Sequence, residues 1–339
     1  MFTAIFGSVE SGIIYAIMAL GVYLSFRILD FPDLTVDGSF VTGAAIAATL
    51  IVSGVNPFLA TVAALLVGFL AGSLTGLLHT VGKINPLLSG ILMMIALYSV
   101  NLRIMGKSNV PLLNEETVFT SIRDSWSTLN IDTVLNNMLT AIGINGSLPK
   151  TWGILVVMLI VTLLFKWFTD WFLQTEIGLA IRATGDNKRM IRSFSANTNV
   201  LIILGLGLSN AMVAFSGALI AQYGSFADVG MGIGMIIIGL ASVIIGEALF
   251  GTKTLARATL AVIGGSIIYR IVVSLALRAQ FLETGDVKLI TASIVILALI
   301  LPQFVRSQKE KKQKEKKRFE RLRAADGKGE NHVAIKSDL

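Results

Sequence analysis

One polar, basic stretch interrupts an otherwise apolar chain. Residues 174–198 read Gln-Thr-Glu-Ile-Gly-Leu-Ala-Ile-Arg-Ala-Thr-Gly-Asp-Asn-Lys-Arg-Met-Ile-Arg-Ser-Phe-Ser-Ala-Asn-Thr. The residue types suit contact rather than bond-making. Thr184 or Asp186 can cap a helix by accepting its free N–H groups. Beyond that cap, Lys188, Arg189 and Arg192 alternate with Met190, Ile191 and Phe194. The expected object is a short helix with an apolar knob and a basic rim. Such a helix fits a groove on a partner protein, and it equally fits a surface of anionic lipid. Periodicity alone leaves those two open.

A second set of polar residues lies at two irregular stretches. Leu29–Phe40 carries Asp30, Asp33 and Asp37 with Pro32, Gly38 and Ser39, and Tyr223–Gly234 carries Asp228 with glycines at 230, 232 and 234. One such break in each half fits the pattern of transporters, whose interrupted helices point at a solute path. On that pattern Asp33, Asp37, Ser39 and Asp228 are candidates to line or gate a path. The bland alternative is two ordinary turns. The first stretch reads either as a cytoplasmic loop or as an unwound segment within the membrane, which requires burial in protein or a cavity wall.

The elements that position these residues are membrane spans. The chain has 339 residues, 54% hydrophobic and 14% charged, against about 25% charged for soluble domains. Runs of about 20 apolar residues mark spanning helices. The expected spans are 9–28, 35–53, 57–80, 86–105, 151–173, 199–222, 232–250, 256–278 and 287–305. The fold class is therefore all-α, a polytopic membrane bundle of about nine spanning segments with interrupted helices. Residues 1–305 form the membrane domain, with 106–150 as an extracytoplasmic loop. Ile131, Leu135, Met138 and Ile142 share one helical face there and predict a helix lying on the membrane. Gly68, Gly72 and Gly76 recur at a spacing that lets helices approach closely, and packing within the bundle is the expected use.

Charge sets sidedness. The tail 306–339 holds 12 Lys/Arg against 6 Asp/Glu, so most of the net +7 resides there. The basicity is a tail property, a lipid-facing or disordered extension, and gives no nucleic-acid groove. The island 174–198, the Lys253–Arg257 loop and the tail fall on one side of nine spans. By the positive-inside rule that side is the cytoplasm. The cell membrane is the expected location, with the N-terminus outside and the C-terminal tail inside. Glu247, Arg270 and Arg278 lie in or near late spans, where charges need partners. A structural ion pair is the expected fate of Arg270, with a role in contacting the substrate as the alternative.

Several function classes are excluded or weakened. There is no cysteine, and only His79 and His332 represent histidine, so no thiolate site exists and a histidine metal centre is not expected. No spacing of His, Asp, Glu or Ser suggests a catalytic cluster, so neither enzymatic activity nor a cofactor is expected. Gly246–Lys253 misplaces the lysine of a nucleotide-binding loop and ends a span. An energy source must then be another chain. The rival reading is a secondary transporter driven by an ion gradient, which would want acids at mid-span.

Three motifs resemble one family. Gly178-Leu-Ala-Ile-Arg-Ala-Thr-Gly-Asp-Asn187 with Ser195-Ala-Asn-Thr198 is similar to the cytoplasmic coupling segment of ABC importer permeases. Gly12-Ile-Ile-Tyr-Ala-Ile-Met-Ala-Leu-Gly21 resembles the first helix of the branched-chain amino acid and ribose permease superfamily. Asp33-Leu-Thr-Val-Asp-Gly-Ser-Phe40 with Gly43 resembles its next segment, in the tryptophan/tyrosine-type subgroup. Ser195 departs from the subgroup's usual glycine. The resemblance implies a permease subunit that moves a small polar solute, an amino acid by subgroup, inward by alternating access. It implies three partners: an ABC ATPase, an extracytoplasmic solute-binding protein, and a second permease chain, identical or different. It also implies that Arg182, Thr184, Gly185, Asp186, Asn187, Lys188 and Arg192 serve ATPase coupling.

Overall fold

Two helices begin on the same dipeptide, Asn-Pro. In the computed structural model Asn56 and Asn85 cap helices that start at Pro57 and Pro86, their Oδ1 atoms accepting from Phe58 and Leu87 N–H at 2.9 and 3.0 Å. Proline suits the first helical position, where its missing N–H would have no partner anyway. The structure describes residues 2–128, 132, 133, 136, 151–193, 196–276, and the helical positions Leu289, Ala292, Ser293, Ile296 and Ile300. Ile131, Leu135, Met138 and Ile142, the rest of the expected ninth span, Phe194, Ser195, Arg278 and the tail 306–339 lie outside the described residues.

The helices are α1 Phe2–Val22, continued by a π-helical turn Tyr23–Ile28; α2 Thr35–Val52; α3 Pro57–Thr80; α4 Pro86–Met105; α5 Val118–Ser127; α6 Gly153–Gln174; α7 Glu176–Asp186; α8 Lys188–Ser193; α9 Thr198–Gly224; α10 Met235–Phe250; and α11 Leu255–Ala276. Two short strands, β1 Asn109–Pro111 and β2 Phe226–Asp228, pair antiparallel. Among the described residues seven helices are long and apolar enough to cross a membrane. The chain is an all-α polytopic bundle. The expected span at 232–250 is shorter as a helix. Gly230–Gly234 is spent in turns, with Gly234 at φ +88°, so α10 has 16 residues.

α9 is the axis. It packs against α1, α2 and α3, while α10 and α11 pack on each other and on α1. α3 shows how the layers are sorted. Leu59, Val62, Leu66, Leu70 and Leu74 are exposed along one stripe, and Ala60, Ala64, Gly68, Ala71 and Gly72 are buried on another. A Cβ on Gly72 would overlap the Leu206 carbonyl of α9, and one on Gly68 would overlap Ala214. The Gly68–Gly72–Gly76 stripe is thus a seam within the chain, where small residues let backbones touch. The leucine stripe is an apolar face that lipid, not water, can cover.

Both ends of the bundle carry polar structure. At one end, the island end, α7 and α8 sit beside the end of the π turn. At the other, the hairpin end, β1–β2 packs on α2 and α9, and α5 packs on α6 and α9. The Phe6 ring meets the Trp152 ring edge-on at 4.9 Å, which puts the start of α1 at this end. The sequence reading did not anticipate β1 or α5. α5 is closed by a Thr117/Thr120 capping box.

Candidate functional site

The first break is built into the bundle. After the π turn, Leu29, Phe31, Asp33 and Thr35 are all buried. Leu29 and Phe31 join Ile181 of α7, Ile191 of α8, and Leu201, Ile202 and Leu206 of α9 in one apolar cluster. Asp30 takes a left-handed conformation, φ 52°, and turns the chain back. The Asp33 carboxylate accepts from Thr35 N–H at 2.9 Å and from Asn210 Nδ2 at 2.6 Å. From Thr198 to Asn210, α9 rises ~18 Å. Asp33 therefore lies well inside the bundle, and the stretch is an unwound segment held in protein, not a surface loop.

The second break meets the first. The Asp37 carboxylate accepts from Gly234 N–H at 2.9 Å and Ile236 N–H at 2.8 Å, at the start of α10. A helix start presents free N–H groups and a partial positive charge, and a carboxylate satisfies both. Gly232 lies so close that a Cβ there would overlap the Asp37 carbonyl. A cavity of about 510 Å³ opens beside this contact, with Asp37, Tyr98, Ser99, Asn101, Gly232 and Ile233 in its wall.

The four candidate path residues are thus not gathered in one place. Asp37 reaches the second break and the cavity. Asp33 is on the same segment but is turned to Asn210. Ser39 is fully buried, and among the described residues its hydroxyl has no hydrogen-bond partner. Asp228 is in β2 at the hairpin end, where its Oδ1 accepts from Gly230 N–H at 2.8 Å. Sequence reasoning missed Asn101, which donates to the Gly38 carbonyl at 3.2 Å, and Asn210. A buried amide in an apolar run was the available signal.

The island folds as two short helices. Thr175 caps α7 through Gly178 N–H at 3.2 Å. Asn187, not Thr184 or Asp186, caps α8, its Oδ1 accepting from Arg189 and Met190 N–H, both at 3.1 Å. Asn187 has the extended backbone a cap needs. Asp186 is the last residue of α7, and the Thr184 hydroxyl is spent on the Ala180 carbonyl at 2.7 Å. The expected apolar knob is also split: Ile191 is buried and Met190 is exposed. Of the candidate coupling residues, Arg182, Asp186, Asn187 and Arg192 are exposed and Lys188 is half-buried. Thr184 and Gly185 point inward. A Cβ on Gly185 would overlap the Ile28 carbonyl, so the island rests directly on the first break. Burial, then the Arg192 guanidinium, push the Lys188 ammonium below the usual lysine range, and Asp30 opposes them.

Glu247, at the end of α10, pairs with Arg27 of the π turn at 3.0 Å. The two interrupted segments are joined at Asp37, and the helices beside them, the π turn and α10, are joined again at Arg27–Glu247. The family described as "Branched-chain amino acid transport system / permease component" matches residues 4–301. The chain belongs to that family. Among its relatives, the tyrosine transport system permease protein of Clostridioides difficile (strain R20291) is 41% identical over 294 residues, 87% of this chain and 90% of that protein. An uncharacterized protein of Rickettsia prowazekii (strain Madrid E) is 35% identical over 243 residues, 72% of this chain and 76% of that protein. No solved structure matches. As a permease component of this family, the chain is a multi-pass membrane protein.

Proposed function

We propose that this chain is the membrane subunit of an ATP-driven amino acid importer, with an aromatic amino acid such as tyrosine as its solute. The observation that carries the reading is the direct seat of the island on the first break, Gly185 against Ile28, within a chain of this family. The similarity to a tyrosine transport permease supports the solute class. Lys/Arg bias makes the island end cytoplasmic, and the basic tail 306–339 lies on that side.

In this reading a separate ABC ATPase grips Arg182, Asp186, Asn187, Lys188 and Arg192. Thr184 and Gly185 act by packing rather than by contact. Movement of α7 and α8 is passed through the Leu29–Phe31 cluster to the unwound segment. From there Asp33 and Asp37 bear on α9 and on the start of α10, and access alternates between the two ends. Asp37 gates the path by holding α10. Ser39 and Asp228 line or flank it. An extracytoplasmic solute-binding protein delivers the solute, and a second permease chain completes the transporter.

The test is uptake of labelled tyrosine by cells that carry this chain and its neighbouring ATPase. Uptake that stops when the ATPase's nucleotide-binding lysine is replaced, and survives a proton uncoupler while ATP is maintained, is the expected result. Uptake that follows the ion gradient and ignores the ATPase would replace this reading with a secondary transporter.

A further inference from the structure

Polar side chains converge on another cavity, of about 510 Å³, at the hairpin end between α1, the end of α9 and α11. Its wall includes Ser8, Ser11, Tyr15, Tyr223, Arg270 and Ser274. The Arg270 guanidinium carbon lies 4.5 Å from the centroid of the Tyr15 ring, and its Nε donates to Ser11 Oγ at 3.3 Å. The Tyr15 ring in turn lies parallel to Phe40 of α2, with centroids 6.0 Å apart. The Tyr223 hydroxyl donates to Glu10 Oε2 at 2.9 Å. Among the described residues no carboxylate forms an ion pair with Arg270. The structural ion pair expected for it is absent there.

A guanidinium has five N–H donors in a rigid planar fork that matches a carboxylate. Ser11 takes one, and stacking on Tyr15 fixes the plane. Among the described residues no acceptor takes the terminal N–H groups, which suit an anion with two oxygens. From Arg270 to Ala276 is ~9 Å of helix, so the charge lies within a span, where an unpaired cation is costly and marks a solute path. Tyr223 adds a complementary feature. By donating to Glu10, its oxygen is polarised as an acceptor, suited to an ammonium group.

We propose that Arg270 docks the carboxylate of the transported amino acid in this cavity, held in place by Ser11 and Tyr15, with Tyr223 facing the ammonium end. This rests on the amino acid reading above. It names the outer docking point of that path.

The chain has no cysteine, so Ser274→Cys in the full chain gives a single reporter in the cavity wall. In membrane vesicles, its labelling by an aqueous methanethiosulfonate reagent is measured with L-tyrosine or L-leucine and with the matched amines tyramine and isopentylamine. The amino acids are expected to slow labelling several-fold and the amines to have no effect. Arg270→Gln should abolish protection, and Arg270→Lys and Ser11→Ala should retain part of it. Equal protection by the amines, protection that survives Arg270→Gln, protection by glycerophosphate alone as a lipid headgroup would give, or none by either amino acid overturns the proposal. Tyrosine uptake by the same vesicles separates the two ideas. Carboxylate-selective protection without uptake would remove the importer reading and leave the site. Uptake without protection would remove the site and leave the importer.

Discussion

Asp37 joins the two interrupted segments with two hydrogen bonds, and its removal should be costly. Asp37→Ala leaves the Gly234 and Ile236 N–H groups without their acceptor. A partly buried donor left unsatisfied costs about 1–3 kcal/mol. Asp37→Ala is expected to lower the thermal midpoint in detergent and to cut uptake sharply. Asp37→Asn keeps one acceptor oxygen and should lose less. An Asp37→Ala protein with unchanged midpoint and uptake would rule out this contact as a link. Lys188 gives the opposite sign. Its lowered pKa means that the folded chain disfavours the charged form. That penalty is present below the folded pKa and fades as pH rises through it toward the ordinary value near 10.4. Lys188→Gln should therefore leave the midpoint unchanged or raised at pH 7 while weakening ATPase co-purification. A lowered midpoint would contradict this. Asp33 and Asp37 of the first break were legible in the sequence, because acids in apolar runs stand out. Their partners were not. Asn210 and the N–H groups of Gly234 and Ile236 are far away in sequence, and only the tertiary fold brings them near.

Run length and small-residue spacing made the helices legible, and the same features predict what breaks them. The α3–α9 seam depends on Gly72, where a side chain would meet the Leu206 backbone. Overpacking of this kind costs ~1–3 kcal/mol or more. Gly72→Val is expected to reduce folded yield strongly. Gly205→Ala, whose nearest neighbour would be the flexible end of Leu29 at 3.3 Å, should be mild. Size-exclusion profiles of the two variants make the comparison, and equal behaviour would argue against the seam. The Arg27–Glu247 pair is exposed on its arginine side, and such pairs are worth little, ~0–1 kcal/mol. Its expected loss shows in the conformational balance of the breaks, not in the midpoint. The start of α10 was misplaced by the sequence because Gly230–Gly234 is apolar enough to extend the run but turns instead. β1 and β2 are three residues each, too short to carry an alternation. The cap of α8 was not legible because three residues within four positions, Thr184, Asp186 and Asn187, all have capping side chains, and composition does not rank them.

At the scale of the whole molecule, apolar stripes face lipid, α9 runs through the middle, and polar structure gathers at both ends. In the proposed function, the island seated on the first break is where the force of a separate ATPase enters. The most direct test of that claim is a mild-detergent pull-down of this chain from its native membrane after crosslinking, with mass spectrometry of the crosslinked peptides. An ABC ATPase should be crosslinked within 182–192, and the crosslinks should be lost when Lys188 and Arg192 are both reversed to Glu. A chain that purifies with no ATPase, or an ATPase whose crosslinks avoid the island, would contradict it.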